Sequence, residues 1–590
     1  MTKSFIMAAL MLLTAFSYSQ TNLNKDVKKF LKDYTKDYQK LYYAASLAQW
    51  VSNTDVSEEH TKKEVEANSA LAKFQGRADI IEKTKKFLAQ KDKLSLVDVL
   101  QLEKVLYNAA HAPASIPDVV DQLVNAEAKQ TADLYGYDFK LSDGKKVSAN
   151  DIDNMLVDEK DLNKRLDIWN SSKEIGKGLK NGLANLQTLR NKVAREMGYS
   201  SYFDLEVSQY GMKASEMKDL MEKVNSELRP LYEQLYTWVK YKLAERYHAP
   251  VPEKIPAHWL PNRWGQEWPG IVEGTDLNSM FKNKTPQYIV QQGEKFYTSM
   301  GMPHLPKSFW EKSDLYALPE GSLRKKNTHA SAWHLDLDKD VRSLMSVEAN
   351  EQWFSTVHHE LGHTYYFIAY SNPNVPILLR DGANPGFHEG MGELISMAST
   401  QQPYLQEIGL LAKDVKIDSI QWLLNEAMSN VAFIPFATGT MSLWEYDLYE
   451  NNLPKDQYNK KWWELAEKYQ GIVPPTERGE EYCDASTKTH INTNPAYYYN
   501  YAVAKLIQYQ LHNYISKNIL HQSPHYANYY NNKAVGKYLT DILKVGKTVD
   551  WRKFIKEKTG DDLSAKGMVE YFAPLMDWLK KENAGRKIGW

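Results

Sequence analysis

The sequence has a single cysteine, Cys483, among its 590 residues, and no excess of charge of either sign. One cysteine cannot close a disulfide within the chain, so packing or a bound metal must supply the stability. Lys and Arg total 73 against 74 Asp and Glu, which gives a net charge of −1. This balance excludes the broad basic field of nucleic-acid-binding proteins, and we expect no nucleic-acid partner.

Long hydrophobic runs are also missing beyond the N-terminus. No later segment reaches the eighteen apolar residues that a membrane-spanning helix needs. Apolar residues nevertheless make up 43% of the chain and aromatic residues 12%, which is enough for a large core and excludes a disordered or fibrous protein. Neither long linkers nor internal repeats divide the sequence, so one large domain is favoured.

The N-terminus has the order of features that is typical of a secretory signal peptide. Lys3 precedes a largely apolar run over 5–16, and small residues follow up to Ser19. The run is too short to span a bilayer, and no cysteine follows it to accept a lipid. We predict that residues 1–19 are removed and that residues 20–590 are exported, periplasmic or secreted, without membrane contact. The alternative is a buried N-terminal helix.

Apolar and aromatic residues recur at three- and four-residue spacing through most of the chain, as in amphipathic helices. This spacing is clear over 27–42, 152–168, 217–247, 417–449 and 497–519. A strand-like pattern is convincing only over 330–335 and 341–347, where a short hairpin is expected. The sequence therefore predicts a mainly α fold with minimal β structure.

A cluster of histidines stands out within this helical pattern. The residues from His358 to His363 contain the motif H-E-x-x-H. On a helix, His359 and His363 lie one turn apart on one face, where both imidazoles can bind a single Zn²⁺. Glu360 then lies beside the metal and can take a proton from a water that zinc activates. The side chain of His358 projects about 100° away from that of His359, which favours a packing role.

A catalytic zinc takes three protein ligands and keeps one position open, so a third ligand is required. Glu389 is the candidate, because the loop over 382–385 can turn the chain back and bring a second helix to the metal. Glu393 shares the helical face of Glu389 and can hold a ligating imidazole by a hydrogen bond. The alternative is that the histidines lie on a helix surface and both glutamates form a solvated acidic face.

Beyond these motifs, the sequence resembles the peptidyl-dipeptidase A, or angiotensin-converting enzyme, family of zinc metallopeptidases, in a bacterial form. The matching blocks keep the family order and comprise Pro256-Ala257-His258, Asn262-x-Trp264-x-Gln266, His329-Ala330-Ser331-Ala332-Trp333, His359 to His363, Gly382 to Glu389, Trp462-Trp463, Lys468 to Ile472 and Lys488-x-His490.

This resemblance implies an almost wholly helical ellipsoid with a deep central cleft, zinc at its floor and two sub-lobes within one catalytic domain, 20–590. It implies an enzyme that removes dipeptides from the C-termini of oligopeptides. Gln266, Lys488 and Tyr498 resemble the group that binds the C-terminal carboxylate of the substrate, and they fix the distance from the terminus to the scissile bond.

The resemblance also implies roles for residues nearer the reacting bond. His490 and Tyr501 resemble the donors that stabilise the oxyanion of the tetrahedral intermediate. His329 and Ala330 resemble the segment that holds the substrate extended. The interval from His490 to the tyrosines is one residue longer than the family pattern, and a register shifted by one is the alternative within 497–501.

Some positions depart from the family pattern. Ala466 and Asn500 stand where chloride-activated animal members have arginines, so we expect weak or absent chloride dependence. Glu393 stands where the family usually has Asp. The sequence thus favours a monomeric zinc peptidyl-dipeptidase. The alternatives are a monocarboxypeptidase on the same scaffold, whose relatives carry an arginine where Gln266 stands, and a catalytically silent peptide-binding relative.

Overall fold

The computed structural model describes residues 22–274, 277–415 and 417–590 in full, together with the backbone of the helix that precedes residue 22. The predicted signal peptide, 1–19, lies outside the fully described residues. Helices contain 65% of the residues and strands 4%, which confirms the predicted mainly α fold.

The helices follow one another along the whole chain. They are α1 (Thr2–Thr54), α2 (Glu58–Gln75), α3 (Ala78–Leu88), α4 (Leu96–Ala109), α5 (Pro117–Tyr135), α6 (Ala149–Asp158), α7 (Leu162–Lys173), α8 (Ile175–Glu196), α9 (Tyr202–Val207), α10 (Ala214–Arg246), α11 (Pro286–Ser299), α12 (Lys307–Lys312), α13 (Glu351–Tyr370), α14 (Pro385–Ser399), α15 (Gln402–Glu407), α16 (Ser419–Asn430), α17 (Ser442–Tyr449), α18 (Tyr458–Leu465), α19 (Thr489–Thr493), α20 (Tyr498–Tyr514), α21 (Lys533–Leu543), α22 (Trp551–Thr559), α23 (Lys566–Tyr571) and α24 (Ala573–Glu582).

Short strands form three small sheets. The strands are β1 (Phe139–Lys140), β2 (Lys146–Val147), β3 (Ile255–Pro256), β4 (Asp314–Tyr316), β5 (Ser331–His334), β6 (Val341–Val347) and β7 (Ile472–Val473). The largest sheet has the order β4-β6-β5, in which β5 pairs antiparallel with β6 from Ser331↔Leu344 to His334↔Val341. The predicted hairpin is therefore present, and β5 is an edge strand.

Two of the predicted helical stretches are interrupted, each for a local reason. Within 152–168, α6 ends at Asp158, where Glu159 becomes extended, and Asp161 then caps α7 by accepting hydrogen bonds from the backbone N–H groups of Asn163 and Lys164. Within 417–449, a wider π-helical segment, Pro435–Met441, separates α16 from α17. Periodicity alone did not reveal either break.

Asparagine residues begin the two helices at the centre of the fold. The Asn350 side chain accepts a hydrogen bond from Trp353 N at the start of α13, and Asn384 accepts one from Phe387 N at the start of α14. Pro385 follows Asn384 at the first helical position, where its fixed φ favours a helix and its missing N–H has no cost. These caps determine where each helix enters the core.

Glycines allow α13, α14 and α20 to pack closely. A Cβ on Gly362 would lie 3.1 Å from the Cα of Gly392, where α13 meets α14. A Cβ on Gly390 would lie 3.0 Å from the backbone oxygen of Ala504, where α14 meets α20. Larger side chains would force these backbones apart. Among the fully described residues, no helix combines the length and apolar character that crossing a bilayer requires.

A pair of glycine substitutions tests the same principle where α23 packs against α20. Gly567→Ala places a Cβ 2.8 Å from the backbone nitrogen of Gln510 on α20, so we expect the free energy of unfolding to fall by about 1–3 kcal/mol. Gly178→Ala in α8 meets no atom within 4 Å and should raise it by about 0.5–1 kcal/mol through helix propensity. Chemical denaturation measures both changes, and equal effects would contradict the packing argument.

Candidate active site

Three side chains from α13 and α14 converge on one point. His359 Nε2 lies 3.0 Å from His363 Nε2 and 3.5 Å from Glu389 Oε2, and His363 Nε2 lies 3.9 Å from Glu389 Oε1. All three potential ligand atoms lie within 4.8 Å of one another. Ligand atoms around a tetrahedral zinc at 2.0–2.2 Å are about 3.3–3.6 Å apart, so the arrangement fits one zinc ion.

Local structure explains this convergence. His359 and His363 project from the same face of α13 because they are four residues apart. The imidazole of His359 lies directly on the backbone of Gly392, where an added Cβ would come within 2.7 Å of the ring. The glycine therefore lets α14 approach closely enough for Glu389, one turn earlier, to reach the histidines.

His388 is a functional candidate that the sequence analysis missed. Its Nδ1 lies 2.8 Å from Nδ1 of His363, and its ring stacks on Tyr366 with centroids 4.6 Å apart. A proton on His363 Nδ1 donated to His388 leaves His363 Nε2 free to act as a ligand. The position of His388 immediately before Glu389 in the sequence could have indicated that it lies near the proposed metal site. Glu393, which the sequence predicted to hold a ligating imidazole, raises the pKa of His359 through its charge.

The electrostatics of the three residues favour a cation. Burial disfavours a charge on His359, but Glu389 and Glu393 outweigh it and raise the pKa of His359 to about 9. Burial, and then the charge of His359, lower the pKa of His363. Burial also opposes the charge of Glu389, but the histidines outweigh it and lower the pKa of Glu389 to about 2. A half-buried carboxylate beside two imidazoles is a suitable donor set for Zn²⁺.

Glu360 is buried beside these residues, and its Oε2 has no hydrogen-bond partner among the described residues. Burial raises the pKa of Glu360 to about 7, although the charge of His359 opposes the rise. The Ala332 N–H of β5 also donates to its carboxylate. A carboxyl group with this pKa and a free oxygen can both take up and release a proton near neutral pH.

A cavity of about 810 Å³ opens above Glu360. His329 and Ala330 line it together with β5, whose edge can pair with an extended peptide. His329 is exposed, and its Nδ1 lies 3.0 Å from the backbone oxygen of Ala330. The cavity lining also includes Tyr38, Tyr42, Lys104, His359, His363, Asp381, Glu389, Tyr497 and Tyr501.

The three residues expected to bind a carboxylate lie in direct contact. The Lys488 ammonium and the Tyr498 hydroxyl both donate to Gln266 Oε1, the hydroxyl at 3.2 Å. Lys488 is only 5% exposed, and its Nζ lies 4.2 Å from the centre of the Trp264 ring. Burial, together with the charge of Arg263, lowers the pKa of Lys488 to about 7. An anion bound here would meet a poorly hydrated cation.

His490 and Tyr501 connect the cluster of Gln266, Lys488 and Tyr498 to the cavity, which Tyr501 lines. The Tyr501 hydroxyl lies 3.4 Å from His490 Nε2, and the His490 ring meets the Tyr498 ring edge-on with centroids 4.9 Å apart. Burial, with the charge of Lys488, lowers the pKa of His490 to about 4. Its imidazole is therefore neutral at pH 7 and carries one N–H that can donate.

His358, Ala466 and Asn500 are the other positions for which the sequence made a prediction. His358 is fully buried and lies 2.7 Å from the backbone oxygen of Phe354 through Nδ1, as expected for a packing residue. Ala466 is also buried, and Asn500 accepts a hydrogen bond from the Tyr210 hydroxyl at 2.5 Å. Neither Ala466 nor Asn500 contributes a positive charge that could hold an anion.

The chain is similar to known proteins over almost its whole length. A family model described as angiotensin-converting enzyme matches residues 21–590. The chain is 31% identical over 585 residues to the angiotensin-converting enzyme of Theromyzon tessulatum, which covers 95% of this chain and 93% of that protein. It is 33% identical over 464 residues to the enzyme of Oryctolagus cuniculus, covering 75% of this chain and 35% of that protein.

A further relative is the angiotensin-converting enzyme of Mesocricetus auratus, 31% identical over 578 residues that cover 93% of this chain and 43% of that protein. The chain thus spans less than half the length of these two mammalian relatives and nearly the full length of the Theromyzon enzyme. Because the family model extends over almost every residue, the chain belongs to the angiotensin-converting enzyme family of zinc metallopeptidases.

Proposed function

We propose that this protein is a zinc-dependent peptidyl-dipeptidase that releases dipeptides from the C-termini of oligopeptides. The observation that carries the proposal is the convergence of His359, His363 and Glu389 beside Glu360, whose Oε2 is unpaired among the described residues. This arrangement combines a metal donor set with a proton acceptor at the floor of a cavity that is large enough for a peptide.

His359, His363 and Glu389 would hold one zinc ion per chain. Two imidazoles and one carboxylate are a donor set of catalytic zinc sites, which keep a fourth position open. Bound there, zinc would polarise the scissile carbonyl and lower the pKa of the attacking water. His388 would hold His363 in the required tautomer through the contact between their Nδ1 atoms.

Glu360 performs the proton transfers in this mechanism. Its carboxylate takes a proton from the attacking water and then delivers that proton to the leaving amine. Burial raises the pKa of Glu360, which favours its uptake of the proton. Neutral His490 and the Tyr501 hydroxyl donate to the oxygen on which negative charge develops.

Gln266, Lys488 and Tyr498 determine which bond is cleaved. Their contact at Gln266 Oε1 makes one polar cluster that can bind the C-terminal carboxylate of a peptide. Binding the terminus at a constant distance from Glu360 places the same peptide bond at the reacting position in every substrate. We assign the second bond from the C-terminus.

The peptide on the other side of the scissile bond runs along β5. His329 and Ala330 precede this strand and line the same cavity as Glu360. An extended substrate can add to the free edge of β5 through backbone hydrogen bonds, which tolerate any side chain. Oligopeptides are therefore the proposed substrates.

We further propose that the protein is exported as a monomer and that residues 1–19 are a cleaved signal peptide. Residues 20–590 then form one catalytic domain with two sub-lobes around the cleft. One main cluster of buried side chains extends from Leu134 to Leu579, which supports a single domain for most of the chain. Export places the enzyme in the periplasm or outside the cell.

Product analysis tests the proposed activity. The zinc-loaded enzyme should release dipeptides from a peptide with a free C-terminus, and mass spectrometry of the products should detect successive losses of two residues. A C-terminally amidated peptide is the control and should be cleaved poorly. Release of single residues would favour the monocarboxypeptidase alternative, and no release at all would favour a silent peptide-binding relative.

Glu360→Gln tests the proton acceptor. The variant should lower kcat by about 10²–10⁴-fold, because the amide cannot take up the proton. It should retain about one zinc per chain by elemental analysis, since the proposed ligands are intact. Persistent turnover in Glu360→Gln would show that another group is the base, and loss of zinc would show that Glu360 binds the metal.

The pKa of Lys488 predicts a pH dependence of substrate binding. The side chain carries its charge below a pH of about 7 and loses it above. The KM for peptides with a free carboxylate should therefore rise as the pH increases above 7. Lys488→Arg keeps its charge throughout this range and should shift the rise to higher pH. An unchanged KM profile in Lys488→Arg would assign the titration to another group.

Chloride should have little effect on this enzyme. Ala466 and Asn500 provide no cation, and the Asn500 amide is hydrogen-bonded to Tyr210. We expect kcat/KM to change by less than about twofold when chloride replaces acetate at constant ionic strength. Activation of about tenfold or more by chloride, with acetate as the control, would contradict this expectation.

A further inference from the structure

A turn of four residues joins the two helices that carry the proposed donors. Residues 494–497 connect α19, which contains His490, to α20, which begins at Tyr498. The conformation of this turn therefore determines how close His490 comes to the tyrosines of α20. Within the turn, Ala496 is completely buried and has a φ of 52°. This left-handed conformation is unfavourable for alanine, because its Cβ crowds the following carbonyl.

A glutamate on another helix contacts the strained residue. Glu445 lies on α17, is 1% exposed, and accepts a hydrogen bond at Oε1 from the backbone N–H of Ala496 at 2.7 Å. Tyr497, which precedes the first residue of α20, makes no side-chain cap. The hydrogen bond thus ties the backbone of the turn to α17 just before α20 begins.

The segment that precedes α17 supports the same region. Phe436 lies in the π-helical segment before α17 and meets the Tyr498 ring edge-on, with centroids 5.5 Å apart and an interplanar angle of 90°. Phe433 contacts the same ring at 5.8 Å. One continuous segment therefore holds the turn through Glu445 and the Tyr498 ring through its aromatic residues.

We propose that Glu445 is a positioning residue for the reaction. Its carboxyl group holds Ala496 in the left-handed conformation and thereby sets the separation of His490 from Tyr498 and Tyr501. The inference rests on the proposed function, which assigns His490 and Tyr501 as oxyanion donors and Tyr498 to binding of the substrate carboxylate. Glu445 does not line the cavity, and the hydrogen bond of its carboxyl group goes to the backbone of Ala496, so it acts through the backbone.

Glu445 acts as a hydrogen-bond acceptor in this role. Burial raises the pKa of Glu445 to about 8, opposed by the hydrogen bond from Ala496 and the charge of Arg190. The carboxyl group is therefore largely neutral at pH 7, and its carbonyl oxygen remains available to the N–H. Glutamine preserves this acceptor, whereas methionine has a similar length and removes it.

Kinetics of two matched variants test the proposal. Glu445→Gln should keep kcat for dipeptide release within about threefold of wild type, and Glu445→Met should lower kcat by about tenfold or more and raise KM. Zinc content should be unchanged in both. Glu445→Asp withdraws the carboxyl from Ala496 by one methylene and should lower kcat similarly, which keeps the test decisive if the methionine variant does not fold.

A partly buried glutamate provides the structural control. Glu426 on α16 accepts a hydrogen bond from the Tyr571 hydroxyl at 2.8 Å, and burial raises the pKa of Glu426 to about 7. Glu426→Met should lower the melting temperature while leaving kcat unchanged. Comparison with Glu445→Met separates a general loss of stability from a displaced site.

A double-mutant cycle identifies the residue through which Glu445 acts. In a Tyr501→Phe background the hydroxyl is already lost, so Glu445→Met should reduce kcat much less than it does in the wild type. Ala496→Gly adopts the left-handed conformation without strain and should restore part of the activity of Glu445→Met.

The proposal is overturned if folded Glu445→Met and Glu445→Asp both keep kcat within about threefold, or if their effects add fully to that of Tyr501→Phe. Wild-type enzyme that releases no dipeptides would instead overturn the proposed function, so the two failures are distinguishable.

Discussion

The close approach of α13 and α14 is the constraint on which the rest of the site depends. A zinc ligand set needs three side chains within a few ångströms, and a single helix can supply only two of them from one face. The third, Glu389, reaches the histidines because Gly362 and Gly392 face each other where the helices cross. The imidazole of His359 then packs directly on the glycine backbone, which orients the ring without a further side chain.

The same helices impose an electrostatic cost that a bound metal would relieve. Glu360 and Glu389 are carboxyl groups held close together at the floor of the cavity, beside two imidazoles that are 3.0 Å apart. Such groups cannot all hold their preferred protonation state when they are shielded from water. A divalent cation would neutralise the carboxylate of Glu389 and separate the imidazole nitrogens, and its binding would therefore stabilise the fold.

Helix α20 links the proposed metal site to the cluster of Gln266, Lys488 and Tyr498, which we propose binds the substrate carboxylate. One side of the helix packs against α14 at Gly390, and its first turn carries Tyr498 and Tyr501. The distance from Glu389 to Tyr498 therefore depends on a rigid helix–helix contact rather than on a loop. A constant distance of this kind is what an enzyme needs to select a bond by its position from a peptide end.

The sequence by itself determined the helical character, the short hairpin and the residues of H-E-x-x-H, because these depend on periodicity and on spacing within one helix. The resemblance to a family added Gln266, Lys488 and His490, which are far apart in the chain. The breaks at 159–161 and 435–441 escaped detection, because capping and helix widening depend on hydrogen bonds that periodicity does not report. Only the tertiary structure placed His388 against His363 and Glu445 against Ala496. The first contact joins two helices and the second joins a helix to a turn, and no local pattern in the sequence specifies which of these surfaces meet.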